Sequence, residues 1–235
     1  MADSISLSRP SGAGETLAQQ AYDALKADIL SGEWPAGAAL LTRDLLERYA
    51  CGISPLREAL ARLVGEQFLE ATNHRGVRVP LPSINDVEDV YRIRIALERE
   101  ALALAIRHGD DVWEGAILAA GHRLERAPLP AATGDKKAAI EEWEARHRAF
   151  HTSLVSAAGA PRLLKFINQM VDQTERYRAL RVAGANQAQI GRDIVAEHRE
   201  LMEAVIARDP DCIDLLARHL DRTRLAIVAL FRSGS

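Results

Sequence analysis

The sequence predicts a mainly α-helical protein in two parts: three short helices with a small β-hairpin, then an all-α helical bundle. Three observations predict it. Apolar residues recur at helical spacing along most of the chain. The strand signals are short and confined to the region before Pro80. A stiff Pro80-Leu81-Pro82 segment then separates the two textures.

The elements follow in order. A leader over residues 1–14, rich in Ser, Pro, Gly and Ala from Ser6 onward, is expected to be disordered. The first helix starts near Thr16, places Leu17, Ala21, Leu25 and Ile29 on one stripe, and stops at Gly32. Trp34-Pro35-Ala36-Gly37 reads as a turn, and Thr42 is expected to cap a second helix that runs to Tyr49. Ser54-Pro55 is expected to open a third helix, Ser as its cap and Pro at its first position, with Leu56, Ala59, Leu60 and Leu63 facing inward. Extended pieces at 69–72 and 77–80 flank a hairpin turn, Asn73-His74-Arg75-Gly76. Three helices and a hairpin within residues 15–80 make the layout of a winged helix-turn-helix, a DNA-reading domain.

Residues 81–235 form the second domain. Ser83 followed by Asp86 is a capping pattern that opens a long helix to about Arg107. Further helices are expected over 111–126, 137–158, 162–182, 188–208 and 211–231. Their breaks are Gly109-Asp110, Pro128 to Gly134, Gly159-Ala160-Pro161, Gly184 and Asp209-Pro210. The result is a bundle of about six helices.

Composition sets outer limits. With 48% apolar and 27% charged residues the chain has an ordinary globular balance. No apolar run is long enough to span a bilayer, and Met1-Ala2-Asp3-Ser4 lacks the layout of a secretion signal, so a cytoplasmic protein is expected. Cys51 and Cys212 stand far apart and outside any metal or redox spacing, as two small buried apolar residues would. Net charge is −3, and residues 42–78 hold six arginines against five acids, so charge alone does not argue for DNA. Placement does.

Arg57 lies in the first turn of the third helix, beside the positive end of the helix dipole, a mildly unfavourable position. Recognition helices point that turn into the major groove, where Arg grips guanine with two hydrogen bonds. Arg43 is placed similarly on the second helix, and Arg75 at the hairpin tip can reach phosphate or the minor groove. The candidate DNA contacts are therefore Arg43, Ser54, Pro55, Arg57, Arg75 and Gly76. With Gly32, Ala36-Gly37, Leu40, Arg43-Asp44-Leu45, Ser54-Pro55-Leu56-Arg57-Glu58-Ala59-Leu60, Leu63 and Arg75-Gly76, residues 16–80 resemble the N-terminal domain of the GntR family. The usual Pro-Gly turn reads Ala36-Gly37, and the usual Val-Ser-Arg-Thr-Pro-Val-Arg-Glu is shortened to Ile53-Ser54-Pro55-Leu56-Arg57-Glu58, without one arginine. The resemblance implies that Arg43 and Arg57 read bases, that Arg75 belongs to the wing, and that the operator is double-stranded DNA.

Four of the seven histidines fall on apolar stripes. His147 and His151 share a helix face with Trp143 and Leu154. His198 lies between Ile194 and Leu201, and His219 between Leu215 and Ile227. A single buried histidine is usually a hydrogen-bonded core residue, but four on core faces of three helices are satisfied together by one divalent metal. His74, His108 and His122 have no such placement. Arg94 sits on the inward stripe Val90, Arg94, Leu97, Ala101, where its partner is either Glu98 or a bound carboxylate. Apart from Arg94, the inward neighbours legible in the sequence are apolar.

Residues 83–230 resemble the FCD ligand-binding domain of the FadR subfamily, through Arg94-Ile95-Ala96-Leu97-Glu98, His147-Arg148-Ala149-Phe150-His151, Glu197-His198 with Ala204, and His219-Leu220 with Thr223. The CsiR-like branch is nearest, sharing Ser-Pro-Leu-Arg-Glu-Ala-Leu, His-Arg-x-Phe-His and Arg176-Tyr177-Arg178. The resemblance implies a dimeric repressor whose operator affinity answers to a small carboxylate, a short dicarboxylate by branch. The family pattern more often has Asp where His147 stands, and the exchange favours Zn or Ni over Mg or Ca. Two alternatives have other signatures. A metal sensor would need no organic effector. A metal-dependent hydrolase would need a base, but the His147-to-His151 pair lacks the Glu beside its first histidine that helical metalloproteases use.

Overall fold

A computed structural model describes residues 16–72, 76–127, 136–184 and 193–233. The leader, the hairpin tip with His74 and Arg75, and the break from Pro128 to Gly134 lie outside them. The chain divides into two compact units, Met1–Pro82 and Ser83–Ser235.

In the first unit, Thr16 caps α1 (Leu17–Leu30), its hydroxyl accepting from the Gln19 N–H at 3.1 Å. β1 (Ala39–Leu41) runs directly into α2 (Thr42–Tyr49), which is followed by α3 (Ile53–Gly65), β2 (Glu70–Thr72) and β3 (Gly76–Arg78). α1 and α3 pack together over a core of Leu25, Leu45, Tyr49, Leu56, Leu63 and Phe68. Each such side chain contributes roughly 1.5–3 kcal/mol by leaving water. Asp28 ties α2 to α1: it accepts from Arg48 Nε at 2.9 Å and from the Tyr49 hydroxyl at 2.6 Å, while Trp34 Nε1 donates to the Tyr49 oxygen at 2.9 Å.

The sheet is three-stranded and antiparallel, ordered β1-β3-β2, rather than a lone hairpin. β1 is three apolar residues of which only Leu40 is buried, too short and uniform for a sequence pattern to reveal. A Cβ on Gly76 would stand 2.9 Å from the Leu40 carbonyl oxygen, so this close pairing needs glycine there. Two caps also differ from expectation. Thr42 is the first residue of α2, and Leu41 holds the cap position because β1 feeds straight into the helix. Ser54 is not the cap of α3, which begins at Ile53 after Gly52. The chain turns at Gly52 with φ of 82°, a left-handed conformation that glycine takes without strain, so the helix starts before the serine.

The second unit holds α4 (Ile84–His108), α5 (Asp111–Glu125), α6 (Lys136–Val155) with a 3-10 turn (Ser156–Ala158), α7 (Pro161–Gly184), α8 (Ile194–Ile206) and α9 (Cys212–Ser233). Ser83, Asp110 and Asp193 cap α4, α5 and α8 through their side chains. α4 is the central element, packed against α9, α7 and the 3-10 turn. Leu102, Ile117, Phe150, Leu154, Leu201, Leu216 and Leu220 form the main core, and Val87, Tyr91, Tyr177, Ile227 and Val228 a smaller one. Cys51 and Cys212 are buried free thiols. No helix among the described residues is long and apolar enough to cross a membrane.

Candidate functional site

Three helices bring the four histidines together. Positions 147 and 151 stack one turn apart on the inner face of α6, α8 supplies His198 and α9 supplies His219. All four are buried, and one ligand atom from each lies within 4.8 Å of the others. Ring centroids are 4.5 Å apart for His147 and His151, 4.6 Å for His198 and His219, and 5.2 Å for His151 and His219. Trp143 stacks on His147 at 4.7 Å, and Phe150 presents its edge to His151 and His198. Aromatic walls thus hold the imidazoles in place. His108 and His122 stay apart from the cluster, as expected.

Burial, then the charge of neighbouring imidazoles, holds His147 and His151 well below the ordinary imidazole range. Both are neutral at pH 7 and keep a lone pair to donate. His147 Nδ1 and both ring nitrogens of His151 have no hydrogen-bond partner in the protein. An unsatisfied buried polar atom costs about 1–3 kcal/mol, so such a cluster is unfavourable unless something binds it. His219 Nδ1 lies 3.0 Å from Glu197 Oε2, the carboxylate contact that orients a metal-binding histidine. Nitrogens each about 2.1 Å from a zinc ion stand at most about 4.2 Å apart, so the cluster, spread over up to 4.8 Å, would have to draw in to hold one. The residues fit a divalent metal.

Arg94 is 1% exposed, and its Nε donates to Glu98 Oε1 at 2.5 Å. Of the two partners expected for it, Glu98 is the one present in the protein itself. The other inward neighbours are not all apolar, which corrects the sequence reading. Arg178, also 1% exposed, holds Glu144 through Nε and Nη2, the latter at 2.7 Å, and Thr174 is fully buried between the two arginines. In sequence, Arg178 appears only within the Arg176-Tyr177-Arg178 run shared with the CsiR-like branch; its place in the interior, one turn after Thr174, is what the structure adds. A cavity of about 130 Å³ borders the cluster, lined by Glu98, His151 and Asn168 with apolar Val155, Leu164 and Val171. That is room for roughly four waters at ~30 Å³ each, or for a small organic acid.

In the first unit, Arg43, Ser54 and Arg57 are exposed, and Pro55 and Gly76 half-buried. Arg43 pairs with Asp44 at 3.1 Å on an open surface, a contact worth little and easily given up to a phosphate or base. Arg57 stands on the exposed face of the first turns of α3, opposite Leu56 and Ala59 in the core.

The model of bacterial regulatory proteins of the gntR family matches residues 17–79, and that of the FCD domain matches residues 89–222. The chain belongs to the GntR family. It is 35% identical over 201 residues to the HTH-type transcriptional repressor GlaR of Escherichia coli, covering 85% of this chain and 90% of that one. It is 32% identical over 217 residues to the HTH-type transcriptional regulator BphR of Paraburkholderia xenovorans, covering 92% and 86%. The solved structure of E. coli McbR/YncC superposes with a TM-score of 0.76 at 23% identity, covering 93% of this chain and all of that one, and shares the fold. This GntR-family chain is a DNA-binding transcriptional regulator, and its relatives are regulators rather than enzymes.

Proposed function

We propose that the chain is a repressor whose operator affinity is set by a small carboxylate bound at a divalent metal, Zn or Ni, held by His147, His151, His198 and His219. The observation that carries this reading is the closure of four buried imidazoles to within 4.8 Å, two of them with unpartnered nitrogens. When bound, a six-coordinate ion would offer open positions to a carboxylate oxygen, and neutral nitrogen donors suit Zn or Ni. The protein's own part is to hold the imidazoles neutral, to shield them with Trp143 and Phe150, and to present Arg94 to an anion.

On the DNA side, Arg57 and Arg43 would contact bases, Ser54 and Pro55 would bring the start of α3 against the backbone, and Arg75 with Gly76 would form the wing contact. A homodimer would set two α3 helices about one helical turn apart on a palindromic operator.

The test is thermal unfolding of the purified protein with zinc or nickel, with a chelator, and with a panel of short mono- and dicarboxylates. An acid at a hundred times its dissociation constant stabilises by about 2.7 kcal/mol, a rise of roughly 5–10 °C at this size. An acid that raises the midpoint only with metal present supports the reading. A chelator effect with no response to any acid would leave a metal-sensing regulator instead.

A further inference from the structure

We propose that Ile53, the first residue of α3, reads the C5 methyl group of a thymine in the major groove, beside the base that Arg57 contacts. This adds a specificity-determining residue to the DNA-reading face proposed above. It rests on that reading, in which α3 is the helix that enters the groove.

The packing of α3 sets Ile53 apart. Leu56, Ala59 and Leu63 are buried in the core of the first unit, as an amphipathic helix requires. Ile53 is 45% exposed on the other side, where a surface helix carries polar residues. Isolated apolar residues are common on protein surfaces, but the first turn of a helix is a poor place for this one. A branched apolar side chain offers nothing to the first-turn N–H groups, which favour Ser, Asp or Glu. No side chain caps α3, since Gly52 stands before it. The energetics of the helix itself give no reason for isoleucine here. A surface that it meets from outside does.

Its neighbours identify that surface. Ser54, Arg57, Glu58 and Ala61 share the exposed face. Ile53, Arg57 and Ala61 follow one another at four-residue spacing, so one guanidinium stands between two apolar groups on a single stripe. The rise from Ile53 to Arg57 is about 6 Å at ~1.5 Å per residue, under two steps of ~3.4 Å along a duplex. Arg57 can take a guanine through two hydrogen bonds. Ile53 has neither donor nor acceptor, so it cannot serve a phosphate or a polar base edge. Among the bases, only thymine shows the major groove an apolar group. Against cytosine or adenine the same side chain would cover an amino group without pairing it, and that unpaired donor turns contact into discrimination.

The probe is the duplex that the full-length chain itself selects from a randomised pool, titrated by fluorescence anisotropy at one fixed salt concentration. Each thymine is replaced in turn by deoxyuridine, which removes the C5 methyl and keeps the base pair. The wild type is expected to lose roughly threefold to fivefold per half-site at one thymine, as the loss of a methyl-sized apolar contact predicts. That thymine should lie within about two base pairs of the guanine sensed by Arg57, the position where Arg57→Ala no longer distinguishes guanine from 7-deazaguanine. Ile53→Ala should erase the preference for thymine over deoxyuridine. It should bind the deoxyuridine duplex within about twofold of wild type and keep the salt dependence, since no phosphate contact is lost. Ile53→Val keeps a branched apolar side chain and should retain the preference. If no thymine is sensed beside that guanine, or if the preference survives in Ile53→Ala, this proposal falls alone. If Arg57→Ala binds the selected duplex as wild type does, or no duplex is selected, the DNA-side reading above is overturned and this proposal with it.

Discussion

His147 and His151 have no hydrogen bond at three of their four ring nitrogens, and both resist protonation because they are buried among other imidazoles. In the unfolded chain each titrates near 6.5. Below that pH the unfolded state takes up protons that the folded state refuses, so metal-free protein loses stability as pH falls, by up to ~1.4 kcal/mol per unit for each histidine. Above it the two states bind protons alike and nothing is lost. Urea unfolding of chelated protein between pH ~7 and ~5.5 should show this slope, and His147→Gln/His151→Gln should flatten it; equal slopes in the two proteins refute the account. Behind His219, Glu197→Gln should weaken zinc binding by roughly 10–100-fold, read in a competition titration, because the oriented carboxylate contact is lost. The four histidines were legible in the sequence because a polar residue on an apolar stripe stands out. The burial of Arg178 and Thr174 was not. Neighbours Glu175 and Arg176 disguise them as a surface run, and only the packing of α7 against α4 and α6 takes them inside.

One turn of α7 links the site to the start of the second unit. Thr174 and Arg178 join Arg94 and Glu144 in one buried polar network, and Tyr177, 1% exposed, donates its hydroxyl to Asp86 in the first turn of α4. That turn follows the Pro80–Ser83 segment that joins the two units. A ligand that repositions Thr174 and Arg178 therefore acts on the residue that anchors the head of α4. Tyr177→Phe removes one hydroxyl and keeps the ring in its cluster with Val87 and Ile227. It should leave acid and metal affinity within about threefold but shrink the acid-induced change in operator affinity at least fivefold, the low end of ordinary allosteric coupling. An unchanged ratio of operator dissociation constants with and without acid would exclude this route. At this scale the long helices were legible from periodicity and from breaks and caps such as Ser83, but the start of α8 was not: a helix was expected from 188, and Asp193 caps one that begins at Ile194. The start of α3 and the strand β1 were not, because a left-handed Gly52 and a tertiary pairing to β3 decide them.

Across the whole molecule, the two units keep separate cores: the residues around Leu25, Leu56 and Phe68 share no member with those around Leu102, Phe150 and Leu201. Changes that empty the histidine site should therefore leave the DNA-reading unit folded, and changes on α3 should leave effector binding intact. His151→Ala/His219→Ala is expected to bind operator within about threefold of wild type, because no residue of the first core is touched, yet to show no response to acid or chelator. Arg57→Ala is expected to do the reverse. It should lose about 1–3 kcal/mol, roughly 5–150-fold, at the operator and little on random duplex, with an unaltered acid-induced rise in unfolding temperature. Both are read from fluorescence-anisotropy titrations at one fixed salt concentration, since phosphate contacts change affinity steeply with ionic strength. If the double histidine variant loses basal operator binding while circular dichroism shows it folded, the site governs DNA binding itself and not only its release. The division of labour between the two units would then be wrong.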